Sequence, residues 1–248
     1  MDSFISQNLI AIIALIATLL LGVYFSAAEM AFSSLNRARI NSMAEGVSQN
    51  ARRARQVVDL YENPEFCHFL SKKFTDFYVE DYRRAYKASG GKIDIFISYS
   101  DLGSQWAPLI SDGMLQEFVI PYIKRLADAI HELGAYFFFH SCGMIYPFIE
   151  GLISAGVDIL DPIQPVCPEM QPENLAKEFK GRICFHGGID IQDVLVNGTP
   201  DDVKNEVQRY KRAFNGSGYI CGSSHFLQPD TNVENIFAMY SEIMKGHF

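Results

Sequence analysis

Residues 135–163, AYFFFHSCGMIYPFIEGLISAGVDILDPI, hold the pattern that decides the fold. Residues 135–140 form a short aromatic run, the composition of a buried strand. A polar turn, Ser141-Cys142-Gly143, follows. Apolar residues then recur at helical spacing over 145–155. Residues 158–163 make a second strand-like run. A strand, a helix and a strand in so short a stretch form a βαβ unit, whose two strands run parallel.

The same alternation extends to both sides. Upstream, a helix over 66–88 leads through Gly90-Gly91 to a strand over 93–99, and a helix over 111–133 follows the cap candidate Ser111. Downstream come a helix over 173–180, a strand over 182–187, helical stretches over 190–196 and 200–214, a strand over 219–223 and a helix over 232–244. Five βα units imply a parallel sheet covered by helices.

The chain has 248 residues, with 48% hydrophobic and 20% charged residues, so it can bury a core. Its net charge of −8 argues against a nucleic-acid partner, which needs a basic stripe. The five cysteines at 67, 142, 167, 184 and 221 are odd in number and widely spread, unlike a disulfide framework.

Residues 1–65 read differently. Positions 3–28 carry no charge, long enough for a helix to cross a bilayer core of about 30 Å. A signal peptide is the rival reading, but the N-terminus carries Asp2 and no Lys or Arg before that stretch. A membrane helix is therefore expected. Residues 31–58 hold Arg37, Arg39, Arg52, Arg53 and Arg55 against one acid, Glu45. By that charge bias this basic helix and the βα segment after it are expected in the cytoplasm and the N-terminus outside. Ser26 and Glu29 lie three apart on one helix face, and a carboxylate there either reaches water or faces an ion.

Polar side chains gather at the C-terminal ends of the five strands: Asp101; His140-Ser141-Cys142-Gly143; Asp161; His186-Gly187-Gly188; and Ser223-Ser224-His225. In parallel α/β folds that edge carries the active site. His140 and Cys142 are two apart, and in extended chain such residues project to one side. Imidazole plus thiolate suits zinc, and His225 is the third-ligand candidate. The bland alternative is a backbone-bonded His140 beside a buried thiol. Asp101 and Asp161 serve equally as caps or loop acceptors. Cys67, Cys184 and Cys221 read as packed apolar side chains, and Cys167 is undecided.

Two resemblances are carried by longer motifs. FSAAEMAFSSLNRARI, at 25–40, resembles the start of the CorC/CNNM (DUF21) magnesium-transport membrane domain over about residues 5–65. That resemblance maps its ion-binding region onto Ser26 and Glu29. HSCGMIYPFIEGLISAGVDILDPIQP, FHGGIDIQDVL and GYICGSSHFLQPDTNVENIFAMY resemble the C-terminal part of the uroporphyrinogen decarboxylase superfamily over about 64–248. It implies the last five βα units of a TIM (β/α)8 barrel, incomplete here, with residues 1–65 and 66–248 as separate segments.

That superfamily implies two reactions. Its corrinoid-linked methyltransferases use zinc to activate a thiol that accepts methyl, with a corrinoid protein and a thiol cofactor as partners. Their His-x-Cys-Gly segment matches His140, Cys142 and Gly143, but the third ligand there is a Cys where this chain has His225. Its decarboxylases act on tetrapyrroles without a cofactor and place a catalytic histidine at the position of His225. Asp101, Asp161 and His225 are the candidates for charge stabilisation and proton donation in the decarboxylation, and His186 is a further catalytic candidate. Zinc-dependent methyl transfer is the leading expectation and tetrapyrrole decarboxylation the alternative. A further expectation is an inactive chimera, joined near Tyr61–Phe66 and tethered through residues 3–28. An open five-stranded sheet also exposes two edges, which a homodimer would cover.

Overall fold

The computed structural model describes residues 59–245, and Asp59 onward forms one compact unit. Helix α1 (Pro64–Ala88) precedes strand β1 (Ile95–Tyr99). Helices α2 (Asp112–Phe118) and α3 (Ile120–Glu132) lead to β2 (Tyr136–His140). A 3-10 turn (Tyr146–Phe148) and α4 (Ile149–Ser154) lead to β3 (Ile159–Ile163). Then come α5 (Pro172–Phe179), β4 (Cys184–Ile189), α6 (Val194–Asn197), α7 (Pro200–Phe214), β5 (Tyr219–Ser223) and α8 (Val233–Ile243).

All five strands are parallel and lie in sequence order, β1 to β5. This arrangement is consistent with five units of an incomplete (β/α)8 barrel. Alternate strand residues point to opposite faces. Phe96, Phe137, Phe139, Leu160 and Phe185 are buried in the core that also holds residues of the covering helices, among them Ile130, Leu152 and Val207. The other face carries Ile95, Ile97, Tyr99, Tyr136 and Ile220, all exposed. That second face is where the polar strand-end residues stand.

Local chemistry explains where the expected boundaries shift. The helix expected over 111–133 is two helices, because Pro121 lacks an N–H and its ring crowds the carbonyl one turn back. Ser111 does cap α2, accepting a hydrogen bond from the Met114 backbone N–H. The helix expected from 145 opens with a tight 3-10 turn at Pro147. Helix α7 has a complete capping box: the Thr199 hydroxyl accepts from Asp202 N–H, and the Asp202 carboxylate accepts from Thr199 N–H. Thr199→Ala is expected to cost about 1 kcal/mol. Urea unfolding of the two chains measures it, and an unchanged midpoint would show that α7 needs no cap.

The membrane expectation is corrected. No helix among the described residues is long and apolar enough to cross a membrane. The longest, α1, has 25 residues but carries Lys72, Lys73, Asp76, Glu80 and Asp81, so its length alone does not make a span. The expected transmembrane helix at 3–28, the basic helix after it, and the ion-binding pair Ser26 and Glu29 fall outside the described residues. The membrane location, the membrane partner and the transmembrane part of the fold class are withdrawn with them.

Candidate metal centre

Strand register assembles the site. Tyr99 on β1 pairs with His140 on β2, and His140 pairs with Asp161 on β3. The β3–β4 register shifts between Leu160 and Ile163, and there Asp161 meets His186 of β4. One row across four strands therefore holds an aromatic ring, two imidazoles and a carboxylate.

The carboxylate is shared. Asp161 Oδ2 lies 2.5 Å from His140 Nδ1, and Asp161 Oδ1 lies 2.6 Å from His186 Nδ1. An ionised carboxylate only accepts, so both Nδ1 atoms donate. Each Nε2 is left to face something else. His140 Nε2 lies 3.3 Å from Cys142 Sγ, and the ligand atoms of His140, Cys142 and His225 all lie within 4.8 Å of one another. The His140 and His225 rings meet edge to face at 5.8 Å.

The loop carrying Cys142 is held against the loop after β1. Leu102 N–H donates to Ser141 Oγ at 3.0 Å, and Cys142 N–H donates to Asp101 Oδ1 at 3.1 Å. Met144 N–H donates to Ser104 O at 2.7 Å, and Gly143 N–H donates to Gln164 Oε1 at 2.7 Å. Asp101 thus acts here as a loop acceptor. The clamp fixes Cys142 relative to His140.

Burial pulls the His140 imidazole down, but hydrogen bonds to Asp161 and Cys142, with their charges, outweigh it and hold the group up at about 10. Burial raises Asp161, yet its two histidine partners leave it below the usual carboxylate range. The metal-free pair is therefore a charged one at neutral pH. A metal at His140 Nε2 would replace a proton there.

The donor set fits zinc. Zn–N distances of about 2.0–2.1 Å and Zn–S of about 2.3 Å put tetrahedral ligand atoms roughly 3.3–3.8 Å apart. The 3.3 Å pair already meets that spacing, and a pair at the 4.8 Å bound would need to close by roughly 1.2–1.5 Å. A buried carboxylate behind a histidine is also the usual support of a zinc-ligating imidazole.

The remaining cysteines stand apart from the three-residue cluster. Cys67 Sγ donates to Asp59 O. Burial raises Cys184, and it pushes Cys221 and Cys167 up to about 11 each. For Cys221 the folded value exceeds the unfolded value of 9.0, so the uncharged thiol is the favoured folded form. Its stabilising contribution is complete below pH 9 and is lost as pH rises through about 11. Cys221→Ala is expected to lose less stability than the parent chain across that window in urea titrations, and parallel loss would remove Cys221 as the cause.

Sequence reasoning named His140, Cys142, His225, Asp161, His186 and Asp101, and the fold brings the first five to one face of the sheet edge. It missed Tyr99, whose ring lies 5.1 Å from that of His140, and Gln164 on the Gly143 N–H. Tyr99 ends β1 as His140 ends β2, which is a signal the strand ends contained. Gln164 had no such signal, since its role depends on a loop path.

The family described as Uroporphyrinogen decarboxylase (URO-D) matches residues 40–245. The chain belongs to the uroporphyrinogen decarboxylase family. Among similar curated URO-D proteins, that of Chlorobium phaeobacteroides is 25% identical over 199 residues, covering 77% of this chain and 52% of the relative. The one from Anaeromyxobacter sp. is 25% identical over 199 residues, covering 80% and 53%. Both are named uroporphyrinogen decarboxylase. The URO-D chain described here thus spans about half the length of the curated relatives it matches. A solved structure, a methyltransferase from Methanosarcina mazei, superposes with a TM-score of 0.59 at 14% identity, covering 81% of this chain and 55% of that one. At that identity it shows the shared fold alone. The URO-D match begins inside the stretch expected to resemble a magnesium-transport domain, and that second resemblance gains no support.

Proposed function

We propose that this URO-D chain carries the zinc-binding half of a site that transfers a methyl group from a corrinoid to a thiol. The observation that carries the reading is the convergence of His140, Cys142 and His225 within 4.8 Å, backed by Asp161. His140, Cys142 and His225 would hold the ion, and Asp161 keeps the Nε2 of His140 turned towards it. When bound, zinc supplies a positive charge that keeps an acceptor thiol ionised at neutral pH. Asp101 holds the Cys142 backbone through its N–H, and Tyr99 packs against the His140 ring. His186 is oriented by Asp161 but directs its own Nε2 elsewhere, so its place is beside substrate. A segment boundary near residue 65 belongs to the same proposal.

The names of the curated relatives favour a second reading, cofactor-free decarboxylation of uroporphyrinogen, and the comparisons back it better than methyl transfer. In that reading the cationic His140, with His186 and His225, would bind substrate carboxylates, and His225 would donate a proton. One experiment separates the two. The purified chain is given methylcobalamin with a small thiol, and separately uroporphyrinogen, with and without added zinc. Zinc-dependent thiol methylation supports the first reading. Zinc-independent loss of carboxyl groups from uroporphyrinogen supports the second and overturns the first.

A further inference from the structure

His140 and His186 sit on strands that are not neighbours, β2 and β4, with β3 between them. Each donates its Nδ1–H to a different oxygen of one carboxylate, that of Asp161, at 2.5 and 2.6 Å. The Asp161 and His140 side chains are each 13% exposed, while His186 is 32% exposed. The two rings are thereby given opposite tasks. His140 Nε2 faces Cys142 and His225. His186 Nε2 faces Gly222 of β5, where a side-chain Cβ would come within 3.5 Å of it. A glycine at that position leaves the nitrogen uncovered on the face of the sheet that carries the site.

We propose that Asp161 is a shared positioning residue, one oxygen fixing the ligand face of His140 and the other fixing His186 with its Nε2 turned to the substrate side. The proposal rests on the zinc reading for what His140 does, and on the hydrogen bonds alone for how both rings are held. An amide cannot replace the carboxylate, because Asn offers one accepting oxygen and an N–H₂ that would face the other Nδ1–H.

The test uses the full chain and the variants Asp161→Asn and His186→Gln, with Co²⁺ alone as the metal probe and ¹⁵N-histidine NMR of the metal-free chain. The parent is expected to show two hydrogen-bonded, slowly exchanging Nδ1–H signals, from His140 and His186. Asp161→Asn is expected to lose at least one of them and to bind Co²⁺ about 10–100-fold more weakly, read from the thiolate-to-cobalt absorption band. His186→Gln is expected to lose only its own signal and to keep Co²⁺ binding near that of the parent. Absence of both signals in the parent overturns the proposal, as does parent-like Co²⁺ affinity in Asp161→Asn. Should the parent bind no Co²⁺, the zinc reading fails, and the positioning role then stands or falls on the two NMR signals and their loss in Asp161→Asn. Should Asp161→Asn fail to fold, His186→Gln decides: collapse of the His140 signal along with its own overturns independent holding of the two rings.

Discussion

Cys142→Ser is expected to lower zinc affinity by about 100-fold or more. Structural zinc sites bind with roughly 10–16 kcal/mol shared among four ligands, or about 3 kcal/mol each. A ligand worth that much accounts for about a hundredfold. Cys142 is the only sulfur in the cluster, and a serine oxygen at the same position is a far poorer partner for zinc at neutral pH. His140→Ala should do the same, with a second consequence: it leaves Asp161 facing one histidine where two stood. Competition against a chromogenic chelator measures both variants. Parent-like affinity in either would remove that residue from the ligand set.

Gly143→Ala is expected to destabilise the chain by about 3 kcal/mol or more. Gly143 has φ +91, where an L side chain is strained. An added Cβ would also fall 2.5 Å from Gly103 C and 2.6 Å from the oxygens of Gly103 and Ser104. Those are backbone atoms, so nothing nearby can swing aside. Relief would require parting the two loops, which breaks the Cys142 N–H bond to Asp101 and the Met144 N–H bond to Ser104. Metal affinity should therefore fall along with stability. Gly181→Ala is the control. Gly181 has a similar φ of +81 but nothing within 4 Å, so only the backbone strain remains, about 1 kcal/mol. Urea unfolding of both variants measures the difference, and equal losses would show that the loop contact is not tight.

The fold was legible because its signals are local. The aromatic run before His140 and the apolar run before Asp161 each declare a strand, and the helix between them forces the strands parallel. Pro121 and Pro147 are visible in the sequence too, yet the apolar spacing continues across Val119 and hides the break there. The three metal-site candidates were legible from their places at strand ends. The role of Asp161 was not. Its sequence context fits a cap or loop acceptor equally well, and only the pairing of strands, in register with β2 and shifted against β4, sets it between two histidines. The uncharged stretch at 3–28 shows the limit of composition, which suggests a membrane span on length and apolarity alone.

The most direct measurement is zinc K-edge X-ray absorption on the chain purified with zinc and freed of loosely bound metal. One sulfur at about 2.3 Å and two imidazole nitrogens at about 2.0–2.1 Å, with the sulfur missing in Cys142→Ser, are the expected result. A shell of oxygen ligands alone, unchanged by Cys142→Ser, would contradict a centre built from His140, Cys142 and His225.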